Sequence, residues 1–332
     1  MTVSAGQLEA DAPPVAPEET SKIVGRSPWQ IARSRLRRDK VSMVALTVVC
    51  IYLVVAISAP FLEILGIIDP YADHPELLRP EDAMPAGDFG GVSSSHWLGV
   101  VPQSGWDLLS RLVSGVTLSM LIAVSATVFS IVVGTVVGIV SGYVGGKVDF
   151  VLGRFMDFVL AFPQLLMLLA LSVVLIEKIT NLGMPPGNPS RIVYLIAVLG
   201  FFGFPYFARI IRGQVLSLRE REFVEAARSL GARGPRIWFT ELLPNLWAPI
   251  LVYTSLILPA NVGTEAALSF LGVGVGTPTP TLGNILTDSV NFLVSDPTYF
   301  FLPGMVIFLI VLSFNLLGDG LRDALDPKSD RH

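Results

Sequence analysis

The chain has 332 residues, of which 52% are hydrophobic and only 15% are charged. Because soluble domains carry about 25% charged residues, this composition excludes an ordinary soluble protein and indicates an integral membrane protein. The formal net charge of −4 identifies no partner, because the distribution of charge along a membrane protein carries more information than its sum.

The N-terminal region precedes the first apolar segment. Residues 1–26 are rich in Ala, Pro and Glu and lack the basic, apolar and small-residue order of a signal peptide, which predicts a disordered cytoplasmic tail. Ser27 and Pro28 suit the start of a helix. Its mixture of apolar and basic residues is compatible either with a helix lying at the lipid surface or with flanking charge alone.

Six apolar segments are long enough to cross a hydrocarbon core about 30 Å thick, which takes roughly 20 helical residues. The spans are predicted at 43–62, 116–140, 150–176, 192–211, 247–271 and 300–317. We therefore predict an all-α membrane protein. Its regions are a tail (1–26), an interfacial helix with the first span and an outer loop (27–114), five further helices (115–320) and a C-terminal cytoplasmic tail (321–332).

The basic residues predict the orientation of these spans. If both termini are cytoplasmic, all but four of the 23 lysines and arginines lie inside, the exceptions being Arg79, Arg111, Lys178 and Arg191. The outer loop at 63–107 carries eight acidic residues. Since Lys and Arg are enriched on the cytoplasmic side, this pattern predicts that both termini are cytoplasmic.

The second span contains Gly134, Gly138 and Gly142, which recur every four residues. This spacing places three positions without side chains on one side of a helix, where a second helix can approach closely. We interpret the three glycines as a packing surface, and a role in gating is the alternative.

Arg154, Asp157 and Glu265 are ionisable residues within predicted spans. Arg154 and Asp157 are three residues apart and share a helix face, which favours their mutual pairing. Pro163 is expected to kink the third span, because proline lacks an amide hydrogen. Glu265 in the fifth span is predicted to make a structural hydrogen bond. The alternatives are proton relay by Asp157 and substrate contact by Glu265. The single cysteine, Cys50, excludes a multi-cysteine metal site.

The segment between the fourth and fifth spans has the periodicity of a short amphipathic helix. Gly231 is suited to end this helix, and Pro235 reinforces the break. Periodicity alone is compatible with a helix resting on the bilayer or with one contacting a soluble partner. The apolar residues at the i, i+3, i+4 and i+7 positions are Phe223, Ala226, Ala227 and Leu230.

Glu225-Ala226-Ala227, followed by Gly231 and then Leu243-Pro244, resembles the EAA loop of permease subunits of binding-protein-dependent ABC importers. In that family the loop forms a coupling helix that docks into the ATPase. The chain departs from the pattern at Glu241, where the family tends to be apolar. The resemblance implies ATPase-coupling roles for Glu225, Ala226, Ala227, Arg228, Gly231, Leu243 and Pro244.

A narrower resemblance, to the second permease of dipeptide and oligopeptide importers, covers roughly residues 28–327. It is carried by Glu265 with the Leu-Ser-Phe-Leu-Gly sequence at 268–272, by the Pro-rich loop at 276–283 and by the ending at 315–327. The chain departs from this branch at 100–106, where Trp106 stands in place of an arginine. That departure lies in the loop on which a binding protein would dock.

The resemblance implies the type I ABC importer permease fold in a multi-pass protein of the bacterial inner membrane. It implies contact with a homologous second permease, two ABC ATPase subunits, an extracytoplasmic binding protein and membrane lipid, but not with nucleic acid. ATP and Mg²⁺ would be bound by the ATPase subunits. We expect no catalytic, cofactor or metal site in this chain. Its only Gly-Lys pair, Gly146-Lys147, lacks the spacing of a phosphate-binding loop, so the sequence predicts no ATP hydrolysis by this chain.

Di- or oligopeptides are the cargo that the narrower resemblance implies, with nickel or oligosaccharides as alternatives. An ion-coupled secondary transporter is a different class and would be expected to have paired carboxylates near the membrane midplane. Neither Asp157 nor Glu265 has a second acidic residue beside it. An intramembrane protease is disfavoured because the sequence has no Gly-x-Ser-Gly nucleophile.

Overall fold

The computed structural model describes residues 28–325. Within this range the chain is helical or irregular, with isolated β-bridges but no β-strand. Six of the described helices are long and apolar enough to cross a membrane, so the predicted all-α fold with six transmembrane helices is confirmed. The predicted tail at 1–26 lies outside the described residues, as do residues 326–332.

The helices follow one another with few long connections. Asp39 caps the second helix, because its carboxylate accepts hydrogen bonds from the backbone N–H groups of Val41 and Ser42. In chain order the described α-helices are α1 (Pro28–Arg38), α2 (Lys40–Ile64), α3 (Leu108–Val144), α4 (Gly146–Leu160), α5 (Gln164–Asn181), α6 (Asn188–Leu218), α7 (Glu222–Ser229), α8 (Gly234–Ile237), α9 (Leu243–Phe270), α10 (Leu282–Ser289) and α11 (Pro297–Leu325).

Successive spans alternate in direction, so the connecting segments gather at two ends of the bundle. The basic end holds α1, the turn between α3 and α4, the α7–α8 region and the last turn of α11. The loop end holds residues 65–107, 182–187 and 271–296. These two ends carry the features on which the functional argument depends.

The predicted third span is divided into two helices. α4 ends at Leu160 and α5 begins at Gln164, with Pro163 between them, so the prediction of one kinked helix over 150–176 is wrong. Pro163 removes a backbone donor and disfavours helical geometry at the preceding residue. Of the two helices, only α5 is long and apolar enough to span a membrane.

Helices α3 and α6 extend beyond the predicted spans at both ends. They contain 37 and 31 residues, which corresponds to lengths of about 55 Å and about 46 Å. A hydrocarbon core is only about 30 Å thick. Hydropathy detects the lipid-facing part of a helix, so the polar extensions of α3 and α6 were not included in the predicted spans. In the same way, α11 continues to Leu325 into the predicted C-terminal tail.

Among the described helices, α3 and α6 make the most extensive contact. The side of α3 that faces α6 carries Gly134, Gly138 and Gly142. A Cβ added at these positions would lie 2.8, 2.7 and 2.9 Å, respectively, from the nearest atom of α6. These distances are shorter than carbon atoms tolerate in real contacts, so the two helices approach more closely than any side chain at these positions would allow.

Replacement of Gly138 by alanine should destabilise this contact. The new methyl group would lie 2.7 Å from the Ala208 carbonyl oxygen and from the Ile211 Cβ. We expect Gly138→Ala to lower the free energy of unfolding by about 1–3 kcal/mol, measured as a decrease in Tm of the purified protein. The control is Gly213→Ala on α6, where a Cβ meets nothing within 4 Å; it should leave Tm unchanged or slightly raised. Equal decreases for both variants would contradict the close α3–α6 approach.

Candidate functional site

The segment between α6 and α9 forms the predicted short helix, α7. It begins after Arg221, whose backbone is extended. Glu222 and Glu225 lie in its first turn and Arg228 in its last turn, an arrangement that complements the partial charges at the two ends of a helix. Glu225, Ala226, Ala227 and Arg228 of the predicted coupling motif therefore occupy a regular helix at the basic end.

Helix α7 ends in a Schellman motif. Gly231 has a φ of +81°, which a residue without a Cβ adopts readily. The Ala232 N–H donates to the Ala227 carbonyl at 3.0 Å, and the Gly231 N–H donates to the Arg228 carbonyl at 2.9 Å. These two hydrogen bonds satisfy the last carbonyls of the helix and fix the direction in which the chain leaves it.

One side of α7 is fixed to the transmembrane bundle. Val224 is fully buried in a cluster that includes Ile211 and Val215 of α6 and Leu246 of α9, and Ala227 packs against the same cluster. Burial of a valine contributes about 1.5–3 kcal/mol. Helix α7 is therefore attached to two transmembrane helices by its apolar side.

A second attachment joins α7 to the end of α3. The Arg228 Nε donates to the Tyr143 hydroxyl at 3.3 Å, and the guanidinium lies 5.0 Å from the centre of the Tyr143 ring. The Trp238 ring meets Tyr143 edge-on, with ring centres 6.1 Å apart. Tyr143 thus connects α7 with α3 and with the turn that leads to α9.

The other side of α7 is apolar and exposed. Leu230 is 89% exposed and Phe223 is 36% exposed, and Ala226 beside them is exposed as well. Of the four residues in the predicted apolar set, only Ala227 faces the bundle, and Val224 supplies the buried contact that periodicity missed. A sequence period reveals that apolar residues share a side of the helix but not whether the bundle covers that side.

Leu243 and Pro244 begin α9 directly after a π-helical turn at Trp238–Leu242. Leu243 is half-buried, and Pro244 is exposed. Since Pro244 has no amide hydrogen to donate to the preceding turn, the wider turn accommodates it without breaking the helix. The Asn245 side chain donates to the Glu241 carbonyl at 2.7 Å, which satisfies one of the carbonyls of this turn.

Two carboxylates of α4 pair with arginines of α6 near the basic end. Asp149 accepts hydrogen bonds from the Arg212 Nε and Nη2 at 2.5 and 2.6 Å. Asp157 pairs with Arg209 and lies 3.7 Å from Arg154. The Arg154–Asp157 spacing was visible in the sequence, whereas Arg209 is remote in sequence and gave no signal.

Glu265 lies fully buried on α9. Its carboxylate accepts hydrogen bonds from the Ser119 hydroxyl of α3 at 2.9 Å and from the Ser269 hydroxyl at 3.0 Å. Ser119 also accepts a hydrogen bond from the Leu282 N–H at the start of α10, at 3.0 Å. Glu265 therefore belongs to a polar network that joins α3, α9 and α10 near the loop end.

The amino-acid sequence of the chain matches the models of a known family of transport proteins. Residues 134–331 match the family model described as "Binding-protein-dependent transport system inner membrane component", and residues 27–79 match the "N-terminal TM domain of oligopeptide transport permease C". The chain belongs to the family of inner-membrane permease components of binding-protein-dependent ABC importers. The predicted family and a multi-pass location in the inner membrane are thereby confirmed, and an ATPase and a binding protein are partners of this family in general.

Curated relatives cover almost the whole chain. The dipeptide transport system permease protein DppC of Alkalihalophilus pseudofirmus is 36% identical over 320 residues, which are 96% of this chain and 95% of the relative. The glutathione transport system permease protein GsiD of Salmonella paratyphi A is 37% identical over 307 residues, or 91% of each chain.

A solved structure shares the fold. It is the inward-facing conformation of the MetNI methionine ABC transporter, of which one chain matches with a TM-score of 0.53 and 20% identity. The match covers 66% of this chain and 98% of that one. This similarity supports the importer permease architecture.

Acidification should weaken the contact between Asp149 and Arg212. The hydrogen bond from Arg212 lowers the pKa of Asp149 to about 2, from 3.8. A depressed carboxyl pKa stabilises the folded state above the unfolded pKa, and this stabilisation is lost as the pH falls through the folded pKa. We expect a contribution of about 2 kcal/mol at pH 7 that disappears between about pH 4 and about pH 2.

The measurement is Tm as a function of pH for the wild type and Asp149→Asn. The variant should be less stable at pH 7, and the difference should narrow below about pH 4. Asp323→Asn is the control, because Asp323 is an exposed carboxylate near the end of α11. A pH-independent difference between Asp149→Asn and the wild type would contradict the charge-based stabilisation.

Proposed function

We propose that this chain forms half of the translocation pore of an ATP-driven peptide importer and that α7 transmits the motion of the ATPase subunits to the pore. The observation that carries this proposal is the two-sided character of α7. Val224 fixes one side to the bundle, while Phe223 and Leu230 leave an apolar surface exposed on the other. An exposed apolar surface outside the membrane is typical of a protein-binding site.

The charge distribution supports a cytoplasmic basic end and therefore cytoplasmic termini. At the loop end, the segments between spans contain only one basic residue, Arg79, whereas the α6–α9 connection alone contains several. Cytoplasmic connections are enriched in Lys and Arg. In this orientation α7 faces the compartment that holds ATP.

The proposed assembly contains this chain, a homologous second permease and two ABC ATPase subunits, surrounded by lipid, with a binding protein at the loop end. ATP and Mg²⁺ bind to the ATPase subunits. This chain performs no hydrolysis, in keeping with the lack of a phosphate-binding loop in its sequence.

Closure of the ATPase subunits displaces α7 and, through its two attachments, the transmembrane helices. Glu225 and Ala226 contact the ATPase, Arg228 holds α7 to Tyr143, and Gly231 sets the turn. Leu243 and Pro244 then receive the displacement at the first turn of α9. A change from 1:99 to 99:1 between two conformations requires about 5.5 kcal/mol of differential interaction, which is within the range of a dedicated protein interface with bound nucleotide.

Di- or oligopeptides are the proposed cargo. The names of the relatives, a dipeptide permease and a glutathione permease, support this class over nickel or oligosaccharides. The test is uptake by the reconstituted importer of labelled dipeptide, Ni²⁺ and oligosaccharide. Uptake of Ni²⁺ or oligosaccharide without dipeptide would exclude the proposed cargo.

Truncation of Leu230 should weaken binding of the ATPase subunits. A central apolar residue of an interface contributes more than about 1 kcal/mol, so Leu230→Ala should reduce ATPase affinity by about fivefold or more. The measurement is the amount of ATPase subunit retained on the tagged permease across a concentration series. Leu182→Ala is the matched control, because Leu182 at the loop end is 88% exposed and Leu230 is 89% exposed. Equal retention by both variants would contradict docking on α7.

Replacement of Gly231 by valine should uncouple ATP hydrolysis from uptake. A branched side chain is strained at the φ of +81° found at Gly231, so the end of α7 should change direction although no neighbouring atom blocks the side chain. Assembly should be partly retained. Asparagine tolerates this backbone region, and Gly231→Asn should keep most of the uptake. The measurement is peptide uptake per ATP hydrolysed, and normal coupling in Gly231→Val would rule out α7 as a lever.

A further inference from the structure

An apolar cavity lies between α3 and the segment that leads into α9. Its volume is about 350 Å³, and its lining side chains are aliphatic or aromatic, apart from Thr135. Ligand sites in proteins have volumes of about 300–1,000 Å³ and predominantly apolar linings. The size and lining of this cavity therefore suit a ligand made largely of hydrocarbon.

Both walls of the cavity belong to membrane-spanning segments. The α3 wall lies between Ile131 and Val140, at the basic-end side of the predicted second span, and this stretch of helix is about 14 Å long. The opposite wall lies between Pro235 and Ile250, within a segment that is long and apolar enough to cross a membrane. The cavity therefore lies in the half of the bilayer nearest the basic end.

The cavity is open towards the outside of the chain. Val136 of α3 is 53% exposed, and Phe239 and Trp247 on the opposite wall are 64% and 49% exposed. Ile139 and Ile250 line the same cavity but are buried, so they form its inner surface. A ligand can therefore enter sideways from the surrounding bilayer, without passing through the bundle.

The apolar lining favours an acyl chain over a peptide. A peptide backbone carries a donor and an acceptor at nearly every residue, and these groups would lose their hydrogen bonds to water in a cavity with few polar atoms. An acyl chain has no such groups. Because lipid tails already lie in an apolar medium, however, the cavity alone cannot select one lipid from another, and any preference must come from the headgroup.

Two arginines lie beside the basic end of the cavity. Pro235 is part of the wall, Arg236 follows it directly and Arg233 precedes it by two residues, and both arginines are exposed. Glu241 is the one acidic residue in the sequence from 232 to 250, and it does not line the cavity. A guanidinium group binds phosphate through paired hydrogen bonds, and basic pockets between spans bind anionic headgroups.

We propose that the cavity between Ile131–Val140 and Pro235–Ile250, called the lipid site below, binds an acyl chain of an anionic phospholipid whose phosphate pairs with Arg233 and Arg236. Charge complementarity at the basic end selects the headgroup, and the apolar walls hold the chain. The lipid site depends on the membrane location of the protein and is independent of the role of α7 in coupling.

The test uses the complete importer in phosphatidylcholine bilayers that contain a small fraction of phosphatidylglycerol with a photoreactive diazirine on one acyl chain. After irradiation, mass spectrometry should locate the label within residues 131–140 and 235–250. Each basic residue near an anionic lipid strengthens binding by about fivefold. Unlabelled phosphatidylglycerol should therefore compete at a concentration at least about fivefold lower than extra phosphatidylcholine does.

A bulky side chain in the cavity should remove this labelling. Val136→Phe places an aromatic ring in the lipid site, and we expect loss of the label from both walls. The matched control is Val128→Phe, because Val128 also lies on α3 and is 54% exposed, compared with 53% for Val136, but does not line the cavity. The control should be labelled like the wild type.

Removal of the two charges should abolish the headgroup preference and leave the cavity open. In the double variant Arg233→Gln and Arg236→Gln, phosphatidylglycerol and phosphatidylcholine should compete equally for the lipid site. The control is the double variant Arg33→Gln and Arg37→Gln, which removes two exposed charges of α1 at the same end of the bundle and should keep the preference. The wild-type competition needs no variant, so misfolding of one variant leaves the proposal testable.

Three results would overturn the proposal. The first is labelling spread evenly over all spans, which indicates general contact with lipid. The second is equal competition by the two lipids in the wild type. The third is absence of label from both walls, which indicates that another subunit covers the cavity. Labelling needs neither ATP nor cargo, so failure of the proposed coupling by α7 would leave the result unchanged.

Discussion

The close approach of α3 and α6 is the contact on which the rest of the structure depends. Gly134, Gly138 and Gly142 allow the backbones to meet, and at the basic end Arg219 donates a hydrogen bond to the Gly142 carbonyl at 2.9 Å. With no side chain between them, the two helices form one rigid unit, because densely packed atoms resist displacement. The elements that carry function are attached to this unit.

Helix α7 is one of the elements attached to this unit. Val224 is buried in a cluster with residues of α6 and α9, and Arg228 reaches Tyr143 at the end of α3, so a force on α7 acts on three long helices together. Near the opposite end, Glu265 joins α3 to α9 and, through Ser119, to α10. A continuous set of packed and hydrogen-bonded groups therefore connects the proposed ATPase surface with the loop end, which is a physical requirement for coupling by rigid elements.

The two ends of the molecule present surfaces of different chemistry. The basic end exposes Phe223 and Leu230 among arginines, whereas the loop end exposes Phe89 and Val294 on segments that contain nine acidic residues and one basic residue. On each side, opposite charges accelerate association with the right partner and like charges exclude wrong ones. Membership in the family of binding-protein-dependent permeases agrees with a separate partner at each end.

The sequence by itself determined the number of spans, the short helix before Gly231 and the glycine spacing on α3, because composition and periodicity are properties of neighbouring residues. Only the tertiary structure decided that Val224 faces the bundle, that Arg209 reaches Asp157 and that Glu265 meets Ser119 of α3. The physical reason is that a helical period relates positions on one helix. It contains no information about which other helix, remote in sequence, covers them or pairs with their charges.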